Sequence, residues 1–261
     1  MEMPVTVAQI SALILSQVDD VDGDGFAPAT APNTTPPEVL AAINEGQELA
    51  TWLTLCLETT ASFPIGAAHS IDAAGCWYLP RPVLTDFLVP LRLVYGGTRV
   101  RPATLAEMEM ENTSWQAAAG TPARYACLGF NLLAITPQAS GTAQMTYARS
   151  AAPLVNDADV PELFEQYHQN LVDYGVYRVR LKEGAQGMAR GLERLNVFLD
   201  DMTKLGDWVR ARTAAARYDV TPFELALMDR SRLVGQLLGK QTKGIQDQAA
   251  LWKRRLNTER F

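Results

Sequence analysis

The sequence predicts an α+β fold, mainly helical: a helical bundle with an inserted small antiparallel β-sheet unit and an extended helical C-terminal arm. Three observations carry that expectation. Apolar residues recur at helical spacing at the start of the chain and again after about residue 156. Between 63 and 155 the pattern changes to short β-type runs punctuated by Gly, Pro and Asn. Beyond Tyr218 a separately capped helix and a glycine-flanked stripe stand apart from the rest. The expected organisation is therefore N-terminal bundle helices over 1–62, a β-rich insert over 63–155, long paired helices over 156–217 and an arm for partner docking over 218–261.

Each element has a local reason. Val7, Ile10, Ile14 and Val18 lie three or four apart, ahead of the Asp/Gly-rich loop at Asp19–Gly25 and a Pro/Thr/Ala stretch to Pro37. Thr35, Pro36 and Glu38 read as an N-cap, a first-turn proline and a T-x-x-E capping box. They predict a second helix to about Ala61, with Leu40, Ile43, Leu49, Leu53 and Leu57 inward. Strands are expected at Trp77–Leu79, Leu91–Val100, Arg124–Leu128, Leu132–Thr136 and Ala143–Tyr147, with turns at Gly96-Gly97, Gly120–Pro122, Gly129 with Asn131, and Pro137–Gly141. A short helical piece, Thr104–Glu111, interrupts them.

Asp159-Val-Pro161-Glu162 reads as the start of the next helix, with Phe164, Tyr167, Leu171, Tyr174 and Leu181 inward. Met188, Leu192, Leu195, Leu199 and Met202 then form the seam of a bundle helix, two heptads being too few for a sustained coiled coil. Thr221-Pro222-Phe223-Glu224 opens a helix to about Leu238, and Gly239–Gly244 breaks it. Ile245, Ala249, Trp252 and Leu256 make a last narrow stripe flanked by Lys253, Arg254, Arg255 and Arg260.

Charge is strongly polarised along these 261 residues. The first 80 contain no Lys or Arg and carry ten carboxylates, whereas Lys204–Phe261 holds 12 of the 23 basic residues and nets +6. Two ends of opposite sign suit different partners, since net charge governs association more than fold. A composition 48% hydrophobic supports a real core. No apolar run approaches the length of a membrane span, and the first residues lack the basic start of a secretory signal, so no membrane partner is expected and the protein is expected to stay where it is made. Cys56, Cys76 and Cys127 include no CxxC pair and read as buried free thiols.

The chemical candidates are few. Asp20, Asp22 and Asp24 with Gly25 reproduce the opening of an EF-hand calcium loop, but Ala31 stands where the bidentate Glu belongs and Pro32 follows. They are a weak metal-site candidate, outweighed by a solvated turn, and no cofactor is expected. His69 and His168 belong to no HExxH or nucleophile context, His168 reading as a boundary residue, and neither GxSxG nor a phosphate-binding Gly loop is present. No enzyme is expected. The stripe with Trp252 ringed by arginines has the composition of an interface hot spot and fits a protein groove. Phosphate neutralisation by its Lys and Arg is the alternative, making the chain a nucleic-acid-binding factor.

The order of motifs from 1 to 217 resembles the head-to-tail adaptor (connector) proteins of tailed bacteriophages. Trp77-Tyr-Leu-Pro80 with Asp86-Phe-Leu88 is similar to the family's aromatic-Leu-Pro lead into its sheet. Leu105–Trp115 followed by Gly120-Thr-Pro-Ala-Arg-Tyr125, then Leu133–Pro137 with Met145-Thr-Tyr147, resembles its acidic helix, Gly-x-Pro turn and strand-ending Tyr. Pro153-Leu154, Asp159, Pro161–His168 and Leu171–Tyr177 resemble the approach to its long helix, and Ile43-Asn-Glu-Gly-Gln47 its first-bundle pattern. The loop 19–37 is longer than the family's pattern, and the arm after 218 matches none of its motifs.

The resemblance implies a virion protein at the head–tail junction, assembled in the host cytoplasm, forming a ring commonly of twelve copies beneath the portal. It would contact the portal protein and tail or nozzle proteins, with viral DNA passing through unbound. On that reading Ile245, Trp252, Arg254, Arg255, Leu256 and Arg260 would face the portal, and carboxylates of the acidic N-terminal third would line the channel. A tail-tube or gatekeeper protein of the same particle is the other virion reading.

Overall fold

A computed structural model describes residues 6–212 apart from 20–24, 27, 30–32, 130 and 184. The chain opens with α1 (Val7–Gln17), whose N-terminus is closed by a reciprocal box between Thr6 and Gln9. Its predicted stripe, Val7, Ile10, Ile14 and Val18, is buried. Next comes α2 (Pro37–Thr54). Thr35 does not cap it: Pro36 is the N-cap, no side chain caps that end, and Pro37 takes the first turn.

The predicted extension of α2 to Ala61 is wrong. Leu55 adopts left-handed φ 54° and stops the helix, and Glu58–Ile65 becomes the first strand, β1. Helical spacing happens to persist through Leu57, but the β-branched Thr59-Thr60 pair and eight residues of register with a later strand decide the outcome.

The remaining strands are β2 (Trp77–Tyr78), β3 (Phe87–Tyr95), β4 (Thr98–Pro102), β5 (Arg124–Leu128), β6 (Leu132–Thr136) and β7 (Gly141–Arg149). They form one sheet in the order β1-β7-β3-β4-β5-β6-β2. The β3–β4 hairpin turns on Gly96 and Gly97, both at positive φ, as a two-residue turn of that twist requires. Pro90 has no N–H to give a ladder, and the β3–β7 register shifts beside it. Between β4 and β5 lies α3 (Leu105–Glu111), capped by Thr104 and Glu107. This connection lets β4 and β5 pair in parallel, so the sheet is mixed and not antiparallel throughout.

Two helices complete the order, α4 (His168–Arg180) and α5 (Ala185–Arg212). Among the described residues the fold is thus a mixed α+β one, with a curled seven-stranded sheet, about 43% helix and about 23% strand. It is not a mainly helical bundle with a small antiparallel insert. The extended arm falls outside the described residues.

Two cores organise the protein. The helical core gathers Ile10, Ile43, Leu53, Leu171, Phe198, Met202 and Val209 from α1, α2, α4 and α5. Helices approach closely through glycine: a Cβ on Gly175 of α4 would meet Ile14 Cδ1 at 2.3 Å, and one on Gly46 of α2 would meet the Tyr174 ring at 2.9 Å. The sheet core is aromatic, with Phe63, Tyr78, Phe87, Tyr125 and Tyr147 fully or almost fully buried. A smaller cluster of Leu55, Leu88, Val89, Leu91 and Ala148, capped by Trp52, joins the two. No disulfide joins Cys56, Cys76 and Cys127, the first two of which are buried.

Candidate partner-docking surfaces

Residues 150–167 cross from β7 to α4. This segment does not begin a helix at Asp159, contrary to the D-x-x-E reading. Both carboxylates have other work. Asp159 Oδ2 accepts from the backbone N–H of Val155 and Asn156 at 2.7 and 2.8 Å, closing a turn. Glu162 takes a two-pronged contact from Arg149 at 2.8 and 2.9 Å and accepts from Ala152 N–H. The Arg149 contact, outweighing the cost of its own desolvation, holds Glu162 below the usual carboxylate range.

The other wall of this crossing is α2. Asn44 grips Leu154 from both sides, accepting from its N–H at 2.7 Å and donating to its carbonyl at 2.9 Å. Gln47 donates to Ala152 O and accepts from Glu162 N–H, both at 2.9 Å. Asp157 receives the N–H and hydroxyl of Thr34 and the N–H of Thr35. Burial raises its pKa, but those donors prevail and leave it at about 2. The Ile43–Gln47 and Pro153–His168 motifs therefore meet in space as one polar clamp.

The sheet motifs also converge. Tyr147 OH donates to Asp86 at 2.9 Å, and burial first, then this bond to a carboxylate, push the phenol up to about 12. Trp77 and Trp115 pack edge to face at 5.6 Å. Tyr78 OH links Gly66 N–H and Gly75 O, holding the long β1–β2 connection.

On the outer helical surface, Arg178 of α4 pairs with Glu45 at 2.7 Å, and Lys182 in the turn after α4 pairs with Glu38, tying this end of α4 to α2. Beside them runs a groove of about 380 Å³ that includes Phe26 and Ala41. A second groove of about 420 Å³ lies where α2 meets the sheet, with Glu45, Glu48, Leu49, Trp52, Arg81 and Leu88 among its walls. A third, of about 570 Å³, is framed by Phe164, Tyr167, Leu205 and Trp208. Phe164 was expected to face inward; because α4 begins only at His168, it precedes the helix and stands 45% exposed. His168 is no boundary residue: it is buried, with its ring nitrogen 3.0 Å from Leu163 O.

The predicted docking residues Ile245, Trp252, Arg254, Arg255, Leu256 and Arg260 lie outside the described residues, as do Asp20, Asp22 and Asp24. Among the described residues no three metal-binding side chains gather, and no helix is long and apolar enough to cross a membrane. Sequence reasoning missed Trp208, which is 44 positions from its ring partner Phe164 and follows the recognised seam by only a turn and a half.

The described residues thus form a body whose motifs lock its parts together, with grooves on its surface. The family model described as SU10 adaptor protein matches residues 5–222, which makes the chain a phage adaptor protein. The chain belongs to the SU10 adaptor protein family, in keeping with its likeness to phage head-to-tail adaptors. A comparison with curated proteins finds no match.

Proposed function

We propose that this protein is the head-to-tail adaptor of a tailed phage, assembling in the host cytoplasm as a ring of twelve copies that docks on the portal and joins the capsid to tail or nozzle proteins. The family match over residues 5–222 carries this reading. Residues 223–261 fall beyond that match, and they hold the basic, Trp-bearing stripe. On this proposal the matched body makes the ring, while the arm over 218–261 reaches the portal. Trp252 and Leu256 fill a groove there, and Arg254, Arg255 and Arg260 face an acidic surface. The 1–62, 63–155 and 156–217 segments together build the ring body, with β1 (Glu58–Ile65) crossing the first of those boundaries.

The acidic stretch of the first 80 residues fits a channel that DNA traverses without adhering, because carboxylates repel phosphate and no Lys or Arg is there to attract it. Binding of the purified protein to portal rings tests the proposal. Trp252→Ala is expected to weaken docking at least tenfold, the scale of an interface anchor, with the monomer's thermal transition unmoved. Undiminished binding of W252A would reject the arm's role. Steeply salt-dependent binding of the free protein to DNA would instead favour a nucleic-acid-binding factor.

A further inference from the structure

We propose that the groove between Phe164 and Trp208 seats the chain segment that follows α5, with Tyr218, Val220 and Phe223 as the side chains that fill it. The groove opens at the very end of the described helix. Leu205 and Trp208 form one wall, Phe164 and the 165–167 turn the other, and the two aromatic rings meet edge to face at 6.3 Å. Its floor is fixed, since Leu205 and the neighbouring Leu163 are buried in the helical core. Its rim is open: Phe164 is 45% and Trp208 53% exposed. A preformed slot with aromatic walls, edged by Glu165 and Gln166, is suited to a segment of aromatic and apolar side chains, and the placement of the chain says which one.

Arg212, the last described residue, lies only about 6 Å beyond Trp208 along the helix axis, at 1.5 Å per residue. Six further residues reach Tyr218, and an extended stretch of that length spans up to about 20 Å, ample to turn back over the last two turns. The family match points the same way, because it does not stop with α5. It runs ten residues past Arg212 to Pro222 and so includes Tyr218 and Val220 in the unit shared with the family. Phe223 follows at once. In all, 49 residues follow Arg212, so a root seated here still leaves more than twenty residues between Phe223 and the Trp252 stripe. The inference is independent of portal docking: it places where the arm leaves the body, whatever its tip contacts.

Limited trypsin digestion of the full chain, with cleavage after Arg217 followed by mass spectrometry, tests it. Cleavage at a seated site tracks the population of its open form. Replacing Phe164 and Trp208 by Ala, or separately Tyr218 and Phe223 by Ser, is expected to speed that cut about 5- to 30-fold, as losing a modest docking energy does. All four changes together should cut no faster than the faster pair. The segment-side pair lies outside the described residues and serves if the groove-side pair destabilises the body, while slow cleavage after Arg124 in β5 reports that the body is intact. Unchanged cleavage in the segment-side pair would overturn the inference, as would multiplicative effects of the two pairs. Protection that disappears on dilution would overturn it too, by assigning the slot to a second copy's segment.

Discussion

The helical and sheet halves of this protein are held by different means. The sheet buries an aromatic core under regular ladders, and the polar side chains of its strands bond outward to adjoining segments, as in Tyr147–Asp86, Arg149–Glu162 and Arg124–Glu111. The helical half also has a large apolar core, but its arrangement depends on specific polar side chains acting on non-helical backbone, Asn44 and Gln47 on Leu154, Ala152 and Glu162 above all. Apolar burial is tolerant of detail, whereas a part-buried carbonyl or N–H must find its one partner or lose its solvation uncompensated. The helical half should therefore be the more sensitive to small polar changes.

The largest effect should come from the core itself. Phe198→Ala removes a fully buried ring packed on Tyr174 at 5.1 Å and should cost about 3–5 kcal/mol in chemical denaturation. If Phe87→Ala in the sheet costs as much and both give one cooperative transition, the two halves fold as a unit; two separate transitions would divide them. Next, Asn44→Ala leaves both polar groups of Leu154 without their partner and should cost about 2–3 kcal/mol. A loss under 0.5 kcal/mol would break the proposed contrast between the halves. Gly175→Ala forces a Cβ against Ile14 and should cost about 1–3 kcal/mol despite the gain in helix propensity.

Acid titration gives a smaller, signed effect. Asp157 sits at about 2 in the folded protein against an ordinary 3.8, so its contribution is fully present above pH 4–5 and lost as the pH falls towards 2. With solvent screening this amounts to about 1–2 kcal/mol. Asp157→Asn should flatten that part of the stability profile, measured by urea denaturation at successive pH values. Thr6→Ala, which opens the cap of α1, should cost about 1 kcal/mol.

Local chemistry was legible where it acts alone. β5 and β6 fall at the predicted residues because Gly129 and Asn131 between them mark a turn in the local sequence. The predicted helical piece at Thr104–Glu111 likewise forms α3, which the structure shows closed by a Thr104–Glu107 box. Misreadings arose where tertiary partners reassigned the same side chains. Asp159 and Glu162 look like a helix cap, yet a turn and Arg149 hold them. Thr59-Thr60 could extend α2, yet pairing with β7 makes them strand. The weight of the sheet was underestimated for this reason, since β1 and the parallel β4–β5 pair exist only through long-range contacts. Of the surfaces, the basic stripe is a sequence pattern, whereas the Phe164–Trp208 slot needs two distant segments brought together and has no local signature.

Electron microscopy of purified portal rings mixed with this protein tests the adaptor account most directly. The account predicts an added ring of density on one face of the portal, one copy per portal subunit, much reduced with W252A. Portal rings that remain bare at saturating protein would contradict it.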